Sequence, residues 1–383
     1  MIVESFLPAF ERESRFHPPE VYKTLRGKEP VVRTVTEGGQ IVWVVLDAEI
    51  ALQVLSDRRF ELTPAGMAPP EMGMLFCDGA EHARLRRSLA HAFSARNLER
   101  LRPRVERVAG EHVSRLREAG SPADLVTALA RPFSLAVITE ILGVPVHDRE
   151  QFYLWAEAVS GLTAGVVADY EAAWKELIGF LGKLITAKQQ DPGDDLLSAL
   201  IQTQDLLTEQ ETVMLGASLM SGGQLTTANA LSVGMIKLLQ VDGLRGIDGD
   251  DAVLNVVEEM LRHQTGVSGE ALPRWAQTDV EVAGKSIADG QMVLVSLEAA
   301  NRDPAWFDDP DRFDPGRERG RHLRFGFGPH RCVGAELARM ELTAAVRALA
   351  DQLPGMTMTC APEEIPWTGH PLDDGPAALP VQW

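Results

Sequence analysis

The chain has 383 residues, 45% of them apolar and 24% charged, with 55 acidic against 37 basic side chains and a formal net charge of −18. That is the composition of an ordinary globular protein, and its acidic balance excludes a general nucleic-acid binder, because phosphate recognition wants a basic surface. Three cysteines without a spaced framework point to a reducing compartment, the cytoplasm, and the charges at Glu4, Glu11, Arg12, Glu13 and Arg15 fit neither a signal peptide nor a membrane anchor.

No repeat, low-complexity tract or Ser/Gly linker marks a domain boundary. Apolar residues from Ile41 to Leu46, after Glu37-Gly38-Gly39, predict a strand following a turn. From Glu81 onward helical spacing dominates: Leu125, Leu129, Phe133, Val137 and Ile141 recur every four residues, then come Leu177–Leu184 and the long segment Val213–Leu239. Between the last two, Pro192-Gly193 reads as a turn. Short strands are expected at Val280–Val282 and Met292–Ser296, followed by an irregular Pro- and Asp-rich connection, Asp303–Pro315. A final helix places Leu342, Val346, Leu349 and Leu353 on one face. The expected fold class is mainly α with a minor β-sheet region.

The run Phe325-Gly326-Phe327-Gly328-Pro329-His330-Arg331-Cys332-Val333-Gly334 carries the chemistry. Its glycines let the backbone approach a flat cofactor closely, and N–H groups at the start of the following helix favour negative charge on the Cys332 sulfur. Such a loop presents a thiolate to a metal, and a heme iron is the natural acceptor. Cys77 and Cys360 have no comparable surroundings and read as inert small hydrophobes.

This run resembles the heme-binding signature of the cytochromes P450, Phe-Gly-x-Gly-x-His-x-Cys-x-Gly, and matches it at each specified position. The resemblance covers nearly the whole chain and implies one domain over residues 1–383 with the cytochrome P450 fold. It implies heme b (iron protoporphyrin IX), with Cys332 as the metal ligand that pushes electron density onto iron and Phe325 and Gly326 beside the cofactor.

Glu259 and Arg262, three apart on one helical face, are by themselves a commonplace ion pair. They also resemble the family's Glu-x-x-Arg motif, whose third partner would be Arg312, the three together bracing the loop that delivers Cys332. His82 and Arg86, one helical turn apart, resemble the pair that holds the heme propionates by charge-assisted bonds. Arg274, His322 and His330 stand where relatives place further propionate partners. The family's usual Pro-Pro before this helix is Gly79-Ala80 here.

In the long helix the family pattern is Ala/Gly-Gly-x-Asp/Glu-Thr-Thr, and this chain reads Gly222-Gly223-Gln224-Leu225-Thr226-Thr227. Each helix-interior glycine costs about 1 kcal/mol relative to Ala, so the pair suggests a helix opened against a bound group, with close helix packing as the weaker reading. Thr226 is the candidate for organising dioxygen or its water, and Leu225 stands where the proton-relaying acid would be. Three uses of that change stay open: oxygen insertion with protons through Gln224, Thr226, water or the substrate; oxidative coupling or cyclisation without oxygen insertion; and a bypass of the relay by solvent or peroxide. A non-catalytic heme-binding or sensor protein is the alternative of another class.

The implied pocket draws on the connection before His82, with Met67, Met72, Met74 and Leu75; on Ser160–Tyr170; on Leu215–Thr226, including Gly222; and on Gly266–Leu272, including Val267 and Ser268. Few charges occur there, which favours an apolar or aromatic small molecule, such as a bacterial secondary metabolite, free or attached to a carrier protein. Residues 81–104 hold seven arginines against two acids, and residues 310–332 six against three. By resemblance both lie near the thiolate face, where a ferredoxin, served by a ferredoxin reductase, would be steered.

Overall fold

The computed structural model describes residues 2–3, 12–36, 38–64, 66–67, 77–159, 167–203, 206–241, 243–265, 272–369 and 374–383. Among them, a six-stranded sheet is built from β1 (Ile2–Val3), β2 (Val31–Val35), β3 (Ile41–Val45), β4 (Phe60–Glu61), β6 (Arg274–Ala276) and β9 (Met292–Val295), in the order β1-β2-β3-β9-β6-β4. The predicted strand at Ile41 is present and pairs antiparallel with β2, Val31 opposite Val45, and parallel with β9. Strand β5 (Ala123–Asp124) joins the C-terminal strands β10 (Thr357–Met358) and β11 (Pro380–Gln382) in a three-stranded sheet. The expected strand β7 (Val280–Val282) forms a hairpin with β8 (Lys285–Ile287).

The helices are α1 (Glu20–Arg26), α2 (Ala48–Ser56), α3 (Gly79–Ala92), α4 (Ala95–Ala119), α5 (Arg131–Ile141), α6 (Arg149–Val159), α7 (Val167–Gln190), α8 (Leu196–Ile201), α9 (Glu209–Gln240), α10 (Gly249–Arg262), α11 (Leu297–Ala300) and α12 (Ala335–Gln352). Pro192-Gly193 separates α7 from α8, as the turn chemistry requires. The long helix α9 starts at a capping box: Thr208 Oγ1 accepts from the Glu211 N–H at 3.2 Å and Glu211 Oε2 accepts from the Thr208 N–H at 2.7 Å. Its apolar residues are buried nearly all round, so it runs through the core rather than along it. One apolar cluster draws in residues from Phe16 to Val381, including α4, α5, α9, α10 and α12, while α2, β3 and β9 enclose a second beside the sheet. Leu342, Val346 and Leu349 are buried on α12, which follows the Cys332 loop directly, and Leu353, just past its end, is buried with them.

Candidate active site

The turn that carries Cys332 is folded on itself. The Cys332 N–H donates to the Phe325 carbonyl at 2.8 Å, and the Arg331 N–H to the Gly328 carbonyl at 3.1 Å. Gly326 and Gly328 have φ of 67° and 74°, the left-handed region where only glycine is unstrained. At Gly328 a Cβ would also lie 2.4 Å from the Leu55 carbonyl at the end of α2, so the turn is seated on that helix. Cys332 itself is exposed. Burial by the protein around it nevertheless pushes its thiol up, against the opposing pull of the Gly334 N–H and the charges of Arg86, Arg324 and Arg331. An atom that is accessible yet closely surrounded lines a recess. Contrary to expectation, the chain's own donors do not outweigh desolvation; deprotonation of such a thiol is completed by a metal that it coordinates.

Beside this turn the structure gathers four of the five expected propionate partners. The rings of His82 on α3 and His330 are stacked, with centroids 4.1 Å apart. Burial, with the neighbouring His330 and Arg86, lowers His82 to about 4. Arg274, at the start of β6, is buried and donates to the Leu272 carbonyl at 2.6 Å; burial pushes it down to about 10, with Asp78 pulling the other way. Arg86 donates to the Arg331 carbonyl, next to Cys332. Asp78 is the acid that the sequence reading missed: it lies 2.7 Å from His330 Nε2 and accepts from the Leu62 N–H at 2.8 Å. Burial raises its pKa, but the bonds from His330 and Leu62 prevail and hold it below the usual range. The only available signal was its place at the N-cap of the helix bearing His82, and it caps nothing there. His82, Arg86, Arg274 and His330 with one carboxylate among them make a cation-rich corner, which fits a flat cofactor with acidic substituents.

His322 is not part of that corner. Its Nε2 lies 2.9 Å from Glu258 Oε2, and Glu258 also accepts from Arg339 at 2.6 Å. Burial works against the Glu258 carboxylate, yet His322 and Arg339 together bring it down to about 2. The Phe325 ring is turned toward the same group, 4.7 Å beneath the Arg339 guanidinium and 6.1 Å from the His322 ring. His322 therefore holds the loop from behind.

The brace also differs in its third arm. Glu259 and Arg262 are buried and paired through two bonds of 2.8 Å, and Glu259 accepts from the Asp314 N–H at 2.9 Å. The guanidinium that joins them belongs to Arg317, 3.2 Å from Glu259 Oε1, whereas Arg312 supplies only its carbonyl, 3.1 Å from Arg262 Nη2. The side chain of Arg312 is on an exposed residue with no carboxylate partner among the described residues.

On α9, Gly222 is exposed in mid-helix and a Cβ there would meet nothing within 4 Å. Thr226, one turn on, shares its face, and its Oγ1 donates to the Gly222 carbonyl at 2.6 Å. Gly223 behaves differently: a Cβ would lie 3.1 Å from Ile138 Cδ1, so this glycine admits α5, the helix-packing reading that sequence had ranked second. Gln224 is 2% exposed and points about 200° away from Gly222 around the helix, which removes it from the face that Thr226 presents. Ser134 on α5 donates to the carbonyls of Gly223 at 3.1 Å and Gln224 at 2.7 Å. Carbonyls 222, 223 and 224 thus each accept a hydroxyl, although the helix runs unbroken. Met74, Leu75, Val267 and Ser268 lie outside the described residues. Cys77 is buried and its thiol is raised to about 11 by burial, as expected of an inert cysteine.

A lone thiol on a glycine turn beside a cation-rich corner defines a protein organised around a prosthetic group with a thiolate ligand. Residues 253–349 match the family description "Cytochrome P450". The chain is 37% identical over 376 residues to nocardicin C N-oxygenase of Nocardia uniformis subsp. tsuyamanensis and 38% identical over 375 residues to mycinamicin IV hydroxylase/epoxidase of Micromonospora griseorubida, with 94% of both chains covered in each case. It superposes on the LnmA cytochrome P450 hydroxylase of Streptomyces atroolivaceus with a TM-score of 0.90 at 34% identity, covering 100% of each chain. The chain belongs to the cytochrome P450 family. It is a monooxygenase with the family's heme–thiolate cofactor, it takes electrons from redox partners, and it oxygenates a small molecule. Among the described residues no helix is long and apolar enough to cross a membrane.

Proposed function

We propose that the chain acts as one domain, binds heme b through the Cys332 sulfur, receives electrons from a ferredoxin and its reductase, and hydroxylates or epoxidises an apolar or aromatic secondary metabolite. The observation that carries this reading is the convergence of the Cys332 turn with His82, Arg86, Arg274 and His330. When bound, the heme supplies the dioxygen activation and electron storage that side chains lack. Arg274 and Arg86 keep their charge throughout the neutral range and give propionates charge-assisted donors. Asp78 orients His330, whose ring in turn stacks on His82.

Thr226 spends its hydroxyl proton on the Gly222 carbonyl, which leaves its oxygen free to accept from a water. Leu225 is 6% exposed and can donate nothing. The proton that a neighbouring acid would hand on must therefore come from water or from the substrate's own hydroxyl. The curated relatives are named oxygenase, hydroxylase and epoxidase, which favours oxygen insertion over coupling.

The test is a panel of apolar and aromatic natural products, free and attached to a carrier protein, screened by the low-to-high-spin shift of the heme and then turned over with a ferredoxin system. A product heavier by one oxygen atom is expected. Products lacking two hydrogens with no oxygen gained would overturn the insertion reading.

A further inference from the structure

Within both arginine-rich segments the arginines differ in what their charges are bound to. In residues 81–104, Arg84 is paired with Glu211, Arg100 and Arg104 with Asp194, and Arg102 with Glu99. In residues 310–332, Arg317, Arg319 and Arg331 are paired with Glu259, Asp251 and Glu336. Arg87, Arg96, Arg312 and Arg321 are exposed and have no carboxylate partner among the described residues. Arg321 is set apart from the other three by its rings: its guanidinium carbon lies 5.1 Å from the Trp306 ring centroid and 5.4 Å from that of Phe327.

The platform around it is fixed from both sides. Trp306 Nε1 donates to Glu49 on α2 at 2.9 Å. Phe327 lies between Gly326 and Gly328, on the turn seated against Leu55 at the other end of α2. A cation held against two anchored rings loses little rotamer freedom when it binds something, and Trp and Arg are the side chains that dominate interface energetics. The stack is also continuous with the Cys332 turn, because Phe327 is five residues before the thiol. With a net charge of −18 the chain as a whole repels acidic proteins, so an acidic partner needs a local cationic foothold of this kind.

We propose that Trp306, Arg321 and Phe327 form the anchor on which an acidic one-electron carrier protein docks beside the Cys332 turn. This rests on the ferredoxin reading above and adds which residues receive the partner. The overall reaction, RH + O2 + 2 e⁻ + 2 H⁺ giving ROH + H2O, takes its two electrons from two docking events, the carrier arriving reduced and leaving oxidised. Arg321 presents its outward N–H edge to a carboxylate of the carrier while both ring faces keep it oriented.

The test uses the heme-loaded enzyme and a plant-type [2Fe–2S] ferredoxin. Binding is measured by calorimetry at low and physiological salt, and delivery of the first electron by stopped flow. Arg321→Glu is expected to weaken binding about tenfold or more and to flatten its salt dependence. Arg321→Lys keeps the charge and loses the planar stack, and Trp306→Ala changes no charge; each is expected to weaken binding roughly three- to tenfold, which a purely long-range charge effect would not produce. The control Arg115→Glu, the same charge change near the C-terminal end of α4, should stay within about twofold. Unchanged carbonyl-bound spectra show that the thiolate site is intact in each variant. Wild-type binding with Arg321→Glu equal to it would overturn the anchor and leave the ferredoxin reading standing; a wild type that neither binds the ferredoxin at low salt nor takes its electron would overturn both.

Discussion

Arg317 and Arg312 give opposite forecasts under the sequence motif and under the structure. Arg317 donates to four oxygens: Glu259 Oε1 at 3.2 Å and the carbonyls of Asp308 at 2.7 Å, Asp309 at 3.1 Å and Arg312 at 3.3 Å. Breaking a fully buried ion pair costs about 3–5 kcal/mol. Arg317→Ala should cost less, because Glu259 keeps two bonds from Arg262 and one from the Asp314 N–H, and the freed carbonyls of Asp308 and Asp309 can reach water. A single bond to a charged group is worth about 1.5–3 kcal/mol, so the expected loss is about 2 kcal/mol, near 30-fold in the folded-to-unfolded ratio. Arg312→Ala retains the carbonyl that Arg262 uses and should stay within about 0.5 kcal/mol of wild type. Urea unfolding of both heme-loaded variants, followed by circular dichroism and by the Soret band, reads the difference. An Arg312→Ala variant less stable than Arg317→Ala would refute the reassignment of the brace.

Two further outcomes follow from particular contacts. Gly326→Ala and Gly328→Ala share the conformational cost of positive φ, about 1–2 kcal/mol, but only the second drives a Cβ into the Leu55 carbonyl. In metal-free protein, Gly328→Ala should therefore be the more destabilised by at least about 1 kcal/mol in thermal unfolding, and equal losses would show that the turn is not seated on α2. Lys237 is 5% exposed, donates to the Phe16 carbonyl at 2.8 Å, and is lowered from 10.5 to about 7 by burial and then by the charge of Arg302. Between pH 7 and 10 the unfolded chain then holds more of this proton than the folded one, so stability gains from this group as pH rises through that window. Relative to Lys237→Met, wild type should become more stable by a few kcal/mol between about pH 7 and 10; parallel unfolding curves for the two proteins would contradict the lowered value.

The class of cofactor was legible in the sequence because the proposed ligand, Cys332, lies in a short continuous run, Phe325 to Gly334, in which Gly326 and Gly328 are demanded by local backbone geometry. The helical core was legible for a similar reason: apolar spacing of three and four is a property of neighbours in the chain. What stayed hidden depends on which distant segments meet. Glu258 and Glu259 are adjacent in sequence, yet one turns to His322 and Arg339 and the other to Arg262 and Arg317. The motif named Arg312, five residues from the arginine that reaches the acid, because an irregular connection has no period from which to read direction. Gly222 and Gly223 are likewise indistinguishable in sequence, and only the position of Ile138 shows that one is open and the other packed. Asp78, at the start of the helix that bears His82, serves His330 across 252 residues, a pairing that no local pattern announces.

The central claim is that Cys332 delivers the thiolate ligand of the heme. The absorption spectrum of the reduced, carbon-monoxide-bound protein tests it most directly, since thiolate ligation shifts the Soret band strongly to the red. Wild-type protein should show that shifted band, and Cys332→Ala should lose it while still folding. A wild-type band at the position of ordinary nitrogen-ligated heme, or a shifted band that persists in Cys332→Ala, would contradict the account.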